Sequence, residues 1–299
     1  MYIISIAKLW YCASEAASMK LVRWGKRGEE RPGLVGKDGQ VRDLSAVVTD
    51  ITSSTLSAAT LARIAGMKCA ELPLAPEDAR LGPCIGGVGK VVCIGLNYRD
   101  HAREAKLAEP AEPIIFFKAT SSIVGPNDPI QIPPGAGKVD WEVELGVVIG
   151  EPATRISRDR ALEHVAGYCV VNDVSERSWQ MERGGQWDKG KSADTFAPLG
   201  PWLVTRDEIE DAQHLALWLE VDGVRRQNGN TANMIFGVAE IVAYVSQFMS
   251  LQPGDVIATG TPAGVGMGFQ PPVYLRPGQT LRLGIDGLGE QHNRVVPAD

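Results

Sequence analysis

The chain has 299 residues, 44% of them hydrophobic and 22% charged, with a formal net charge of −6. That length builds one large core, alone or with a smaller partner domain. The acidic balance, with no basic block or Lys/Arg stripe, excludes a nucleic-acid binder, and no apolar run is long enough to cross a membrane.

Residues 1–18 open with MYIISIAKLWY, which lacks the basic leader and the cleavage site of a secretory signal. Met19 begins MKLVRWGKRG, a natural start for a first strand, so residues 1–18 are expected to be an extension ahead of the fold. The five cysteines, Cys12, Cys69, Cys84, Cys93 and Cys169, are scattered and form no C-x-x-C. They read as reduced thiols in a cytoplasmic protein. Residues 19–50 read as short strands, KLVRWG and PGLVG, then a hairpin turning at Asp38-Gly39. Residues 53–70 read as a helix with Leu56, Leu61 and Ile64 on one face and Gly66 as its stop. This front part carries no clustered acids or histidines. Residues 19–88 are therefore expected to be a small accessory domain, and 89–296 the domain that carries the chemistry.

KVVCIGLNY reads as a core strand, and NYRDHAREA as the start of a helix with Asn97 as cap and Asp100 in its first turn. On that helix His101 and Glu104 are neighbours. Two readings stay open: a base oriented by a carboxylate, or a surface pair. His164, His214 and His292 read as structural or surface residues. Residues 103–113 form an exposed excursion, and PIIFFKATSSIVGPNDPIQIPP supplies two strands around a Gly-Pro turn.

The run KVDWEVELG, 138–146, reads as one strand. Asp140, Glu142 and Glu144 then share a face, and Trp141, Val143 and Leu145 take the other. Same-face carboxylates about 7 Å apart suit either a solvated face or a shared cation. Asp173 tips the balance, because it follows the apolar strand 165–172, where a third oxygen donor belongs. Two Glu and one Asp favour Mg²⁺ or Mn²⁺, with Ca²⁺ as an alternative. No Cys/His cluster accompanies them, which speaks against zinc. Residues 159–165 read as a short helix. Arg177 and Gln180 follow Asp173 closely and are expected to face its pocket, with Trp179 as packing.

Lys191 lies in a run of small and turn-forming residues. It reads either as a point charge reaching a carboxylate or enolate, or, with Lys189 and Asp188, as a solvent charge. Further strands are expected at 214–221, 255–259, 273–275 and 280–285. A helix at 235–249 places Ile235, Val238, Ile241, Val242, Val245 and Phe248 on one side. TGTPAGVG, 259–266, is a turn whose N–H groups and the hydroxyls of Thr259 and Thr261 can hold a carboxylate. It is neither a Walker loop nor a dinucleotide fingerprint. Short strands between 19 prolines and 33 glycines suit a mostly β protein, not a regular βαβ alternation.

GLNYRDHAREA, DWEVELGVVIG, GYCVVNDVSER, GQWDKGKSADTFAPLGPW and the 230–266 segment occur in this order. Together they resemble the fumarylacetoacetate hydrolase family from about residue 90 to 296. The resemblance implies an α+β, mostly β fold, a mixed β-roll of several sheets with a small N-terminal domain, assembled as a homodimer. It implies Glu142, Glu144 and Asp173 as ligands of Mg²⁺, and His101–Glu104 as a water-activating pair on a lid. Lys191 is implied as the active-site lysine and Thr261 as a substrate contact. The front portion is similar to that of bacterial members acting on 2,4-diketo-3-deoxy-L-fuconate. The activity implied is hydrolysis of a C–C bond in an acylpyruvate-type 2,4-diketo acid, giving pyruvate and a second acid. The alternatives are an isomerase or decarboxylase acting on a hydroxydiene-dioate or oxaloacetate, and a non-catalytic metal-stabilised binding protein. The expected partner is a small carboxylate substrate, with neither nucleic acid nor membrane.

Overall fold

The computed structural model describes residues 19–298; the expected extension, 1–18, and Cys12 within it lie outside the described residues. The front strands are β1 (Lys20–Trp24), β2 (Arg31–Val35) and β3 (Val41–Asp43). Then come β4 (Val91–Gly95), β5 (Ile114–Lys118), β6 (Ile123–Val124), β7 (Ile130–Ile132), β8 (Val139–Asp140) and β9 (Val143–Ile149). Next are β10 (Val165–Asn172), β11 (Ser175–Glu176), β12 (Ala197–Thr205), β13 (Ala216–Val221) and β14 (Val224–Asn230). The last three are β15 (Val256–Ala258), β16 (Thr280–Ile285) and β17 (Gly289–Pro297). The α-helices are α1 (Ala58–Ala65), α2 (Arg99–Glu104), α3 (Arg177–Met181), α4 (Asp188–Lys191) and α5 (Val238–Phe248). The mostly β, multi-sheet architecture is the one expected.

A ten-stranded sheet runs β3-β2-β1-β12-β10-β9-β15-β4-β5, with β6 paired to β12. A five-stranded sheet, β14-β13-β16-β17-β7, and a two-stranded one, β11-β8, complete the fold. β9 and β10 are buried along their whole length, as apolar runs covered on both faces must be. Their side chains alternate between two cores. Val143, Leu145, Val147 and Ile149 enter one, with α5 (Ile241, Val242, Val245) and the five-stranded sheet (Leu217, Leu283). Val148, Cys169 and Val171 enter the other, with Leu21, Leu34, Leu44, Ile51 and Ile85. The front segment thus contributes strands to the edge of the large sheet, through β1–β12 pairing, and side chains to one of its faces.

Several local expectations change. KVDWEVELG is two strands in two sheets, broken at 141–142. Asp140 lies in β8, where its carboxylate accepts from Arg177 and from the N–H groups of Gly266 and Met267, and it is not one of the three acids that converge. Residues 273–275 are not a strand; Leu275 N–H instead donates to the Val139 carbonyl. β12, β14 and β17 were not expected. β12 contains Pro198, Gly200 and Pro201, which signal turns, and it pairs with β10 across a register shift that absorbs them. β14 (VRRQNGN) is too polar to read as a strand. Phe248 is exposed and packs edge-on against Tyr244 rather than entering the core.

Candidate active site

The β9–β10 register positions the acids. Asn172 lies opposite Val143 and Val171 opposite Glu144. The chain ends just beyond, Glu142 and Asp173, are therefore neighbours, and Asp173 N–H donates to the Glu142 carbonyl at 2.9 Å. Glu142, Glu144 and Asp173 are all buried and offer carboxylate oxygens within 4.8 Å of one another. Three hard oxygen donors converging at that distance fit a divalent cation, Mg²⁺ or Mn²⁺ by donor chemistry.

Buried cations surround these acids. Lys191 Nζ, at the end of α4, donates to Glu142 Oε2 at 2.7 Å and to Asp173 Oδ2 at 2.8 Å. Arg177, at the start of α3, donates to Glu142 Oε1 at 2.6 Å, to Asp140 Oδ2 at 2.8 Å and to Gln180 Oε1 at 3.0 Å. Lys118, ending β5, donates to Asp173 Oδ1 at 2.6 Å and to the Val174 carbonyl at 3.0 Å. Glu144 has no such cation; its Oε2 accepts only the Gly260 N–H, at 2.8 Å.

The titration directions follow from this arrangement. Burial, reinforced by repulsion from Asp173 and Glu142, pushes the Glu144 carboxyl well above its ordinary value. Burial also opposes charge on Glu142, but Arg177 and Lys191 outweigh it and hold that carboxyl below its ordinary value. Lys191 is disfavoured by burial, yet Asp173 and Glu142 raise it and keep it an ammonium. The cluster therefore contains one carboxyl group, Glu144, with no ammonium or guanidinium bonded to it and two acidic neighbours beside it, and a bound cation would favour its ionised form.

The His101–Glu104 pair stands beside this cluster. His101 Nδ1 lies 3.0 Å from Glu104 Oε2, and Glu104 Oε1 accepts the Gly264 N–H at 2.9 Å. Glu104 thus links helix α2 to the TGTPAGVG turn. Asn97 does not cap that helix; Tyr98 occupies the cap position without a side-chain bond. Asn97 is buried and donates to the carbonyls of Phe236 and Thr259 while accepting the Phe236 N–H. Its work is to tie the start of α2 to the two loops behind it.

The TGTPAGVG turn binds groups of the protein itself. The hydroxyls of Thr259 and Thr261 donate to the carbonyls of Leu145 and Val143, each at 2.9 Å. Gln227 Nε2 donates to the Thr261 hydroxyl at 2.7 Å, and Gln227 Oε1 accepts the Val143 N–H. Thr261 still lines the cavity, as do Arg177 and Gln180.

One cavity of about 410 Å³ brings the predicted residues together: His101, Glu104, Glu142, Glu144, Arg177, Gln180, Lys191 and Thr261 all line it. Asp173 meets it only through its partners. Sequence reasoning missed Lys118, Asp140 as partner of Arg177, and Gln227. Lys118 left one signal, a lysine closing the apolar run IIFF, where a fully buried ammonium requires a carboxylate.

The family model for the fumarylacetoacetate hydrolase C-terminal domain matches residues 90–296. A protein of Burkholderia multivorans, provisionally named a hydrolase, is 63% identical over 274 residues, which is 91% of this chain and 97% of its own. Among solved structures, a fumarylacetoacetate hydrolase from Exiguobacterium antarcticum superposes with a TM-score of 0.83 at 37% identity, covering 94% of this chain and 100% of its own. A 2-hydroxyhepta-2,4-diene-1,7-dioate isomerase from Mycobacterium marinum gives 0.72 at 34% identity, covering 94% and 99%. A maleylpyruvate hydrolase from Sphingobium, in complex with manganese(II) and pyruvate, gives 0.78 at 29% identity, covering 94% and 100%.

Proposed function

The chain belongs to the fumarylacetoacetate hydrolase family, and from that premise we propose that it is a divalent-metal-dependent hydrolase acting on acylpyruvate-type 2,4-diketo acids. The products are pyruvate and a second carboxylic acid. The observation that carries this reading is the His101–Glu104 pair opening on the same cavity as Glu142 and Glu144. Tautomerisation and decarboxylation need no attacking water, whereas an imidazole held by a carboxylate is the device that activates one.

Glu142, Glu144 and Asp173 would hold Mg²⁺ or Mn²⁺, which when bound supplies a Lewis acid for the keto and carboxylate oxygens of the substrate. Glu104 keeps the proton on His101 Nδ1, so the other ring nitrogen takes a proton from water. The water oxygen adds to the distal carbonyl carbon. The C–C bond then breaks, and its electron pair passes to the pyruvate enolate. The proton held at His101 returns to the enolate carbon, and water has been added across the broken bond. Lys191, kept charged by Glu142 and Asp173, faces the developing enolate charge. Arg177 holds Asp140 and Glu142 in place.

The manganese and pyruvate in the maleylpyruvate hydrolase neighbour support this assignment. The test is an assay of purified protein with Mg²⁺ or Mn²⁺ against an acylpyruvate, a hydroxydiene-dioate and oxaloacetate. Loss of enol absorbance with release of two acids is the expected result. Formation of an isomer or carbon dioxide alone would replace hydrolysis with the neighbouring chemistry. The family resemblance also points to a homodimer, which sedimentation would register as twice the 32.1 kDa chain mass.

A further inference from the structure

We propose that the acyl group taken by this cavity is apolar, an alkyl or aryl chain without hydroxyls or a terminal charge. This rests on the reading of the site as an acylpyruvate hydrolase. Three observations carry it.

First, the cavity beyond the charged cluster is walled by Ile94, Ile114, Phe116 and Trp187. Phe116 and Trp187 meet edge to face, with centroids 5.4 Å apart. The indole also lies against Gly95, where a Cβ would stand 2.5 Å from its Cζ3. Glycine at 95 therefore lets the ring close down onto the strand end, and the aromatic wall is a fixed surface.

Second, most of the polar groups at the inner end of the lining already hold protein partners. Arg177 is shared among Asp140, Glu142 and Gln180. Lys191 serves two acids, and Glu104 bonds His101 and Gly264. The Thr261 hydroxyl gives its proton to Val143 and accepts from Gln227. Lys106 and Gln270 are exposed at the rim. A hydroxylated tail held against Ile94, Ile114, Phe116 and Trp187 would lose hydrogen bonds to water that these side chains cannot replace.

Third, apolar side chains also stand at the mouth, beside Lys106 and Gln270. Leu107, Met181 and Met267 line it and are 59%, 54% and 38% exposed. They are three of the seven exposed large hydrophobics among the described residues. Such residues gathered at one opening mark a surface that meets an apolar ligand, and methionines adapt to its shape.

The experiment measures kcat/KM with Mg²⁺ for acetyl-, hexanoyl- and benzoylpyruvate, for a 2,4-diketo acid with a dihydroxylated tail, and for one ending in a carboxylate. kcat/KM should rise about threefold to fourfold per added methylene, and both polar tails should fall at least about tenfold below an apolar tail of equal length. Preference for the hydroxylated or carboxylated tail, or no dependence on length, would overturn the proposal while leaving the hydrolase reading intact. If no member is cleaved, the hydrolase reading fails instead. Calorimetry with N-methyl-, N-hexyl- and N-dihydroxypropyl-oxamate then still tests the apolar seat. Affinity and a negative heat-capacity change should grow with the hexyl chain alone; equal binding of all three would refute the seat. Trp187→Ala should flatten the chain-length dependence. Leu107→Ser, at the exposed rim and outside either core, should weaken it without unfolding the protein; an unchanged dependence in both variants would reject the assigned wall.

Discussion

Two clusters of ionised side chains in this molecule have different architectures. In the front segment, Arg23 pairs with Asp50 at 2.7 Å, Arg80 pairs with Asp128 at 2.5 Å, and Glu30 lies 3.0 Å from Arg80. Each carboxylate of that cluster, Glu30, Asp50 and Asp128, has a guanidinium. In the cavity, Glu142 and Asp173 each have cations, but Glu144 has a single backbone N–H and two acidic neighbours. Charges that serve the fold are compensated within the fold. A charge left uncompensated in a buried place is a structural expense that a ligand removes.

The largest effect that can test this contrast is on Glu144. Glu144→Ala should reduce metal-dependent turnover below detection and abolish any rise in melting temperature on adding Mg²⁺ or Mn²⁺. Normal metal-induced stabilisation in that variant would make the two clusters equivalent. Next comes His101→Ala, expected to lower kcat by about 10²–10⁴-fold, the usual worth of a general base, with metal binding by calorimetry retained. Near-normal turnover would move water activation elsewhere.

Arg80→Ala should act only on the fold. It leaves Glu30, whose side chain is 6% exposed, facing Arg23 alone. A loss of about 1–3 kcal/mol in a urea titration is expected, with kcat/KM within about twofold of the parent. A large loss of activity at unchanged stability would contradict the division of labour.

The smallest effect is on the pH dependence of the metal-free protein. The Glu144 carboxyl is raised in the folded state, so its proton is held more tightly there than in the unfolded chain. Its stabilising contribution is full below the unfolded value and is lost as pH rises through the raised one. Glu142 is lowered and works in the opposite sense: its contribution is present above the unfolded value and lost as pH falls through the lowered one. Glu144→Gln should remove the loss on the alkaline side and leave the acid limb. Denaturation midpoints across pH, with and without Mg²⁺, provide the measurement. An unchanged profile in Glu144→Gln would show that this carboxylate is not under repulsion.

Much of the site was legible because its members lie in short, dense motifs. His101 and Glu104 are one helical turn apart, and Glu142 and Glu144 are two residues apart at the start of β9. Asp173 marks the end of an unmistakable apolar run. What could not be read is how these pieces are braced. Arg177 and Lys191 were legible as polar residues near a pocket, but not as the partners that lower Glu142. Lys118 lies 55 residues from Asp173 and belongs to no motif. Thr259 and Thr261 appeared free to hold a ligand, whereas their hydroxyl protons are given to the backbone of β9. In the fold, β12 hid behind its prolines and glycine, because a strand buried beside a register shift tolerates residues that signal a turn when read alone.

Composition and periodicity determine that this chain is mostly β, that β10 is a core strand, and that a few acids, one imidazole and one lysine are the candidates for its chemistry. These are local properties, set by the chemistry of neighbouring residues. Only the tertiary structure decided that Asp140 belongs to Arg177 while Glu142, Glu144 and Asp173 converge, and that the front segment covers one face of the large sheet. It alone also placed apolar side chains from β4, β5, α3 and the loops around one cavity. Those outcomes depend on strand register and on which charges meet after the chain has closed, and distances of that kind are not written in residue order.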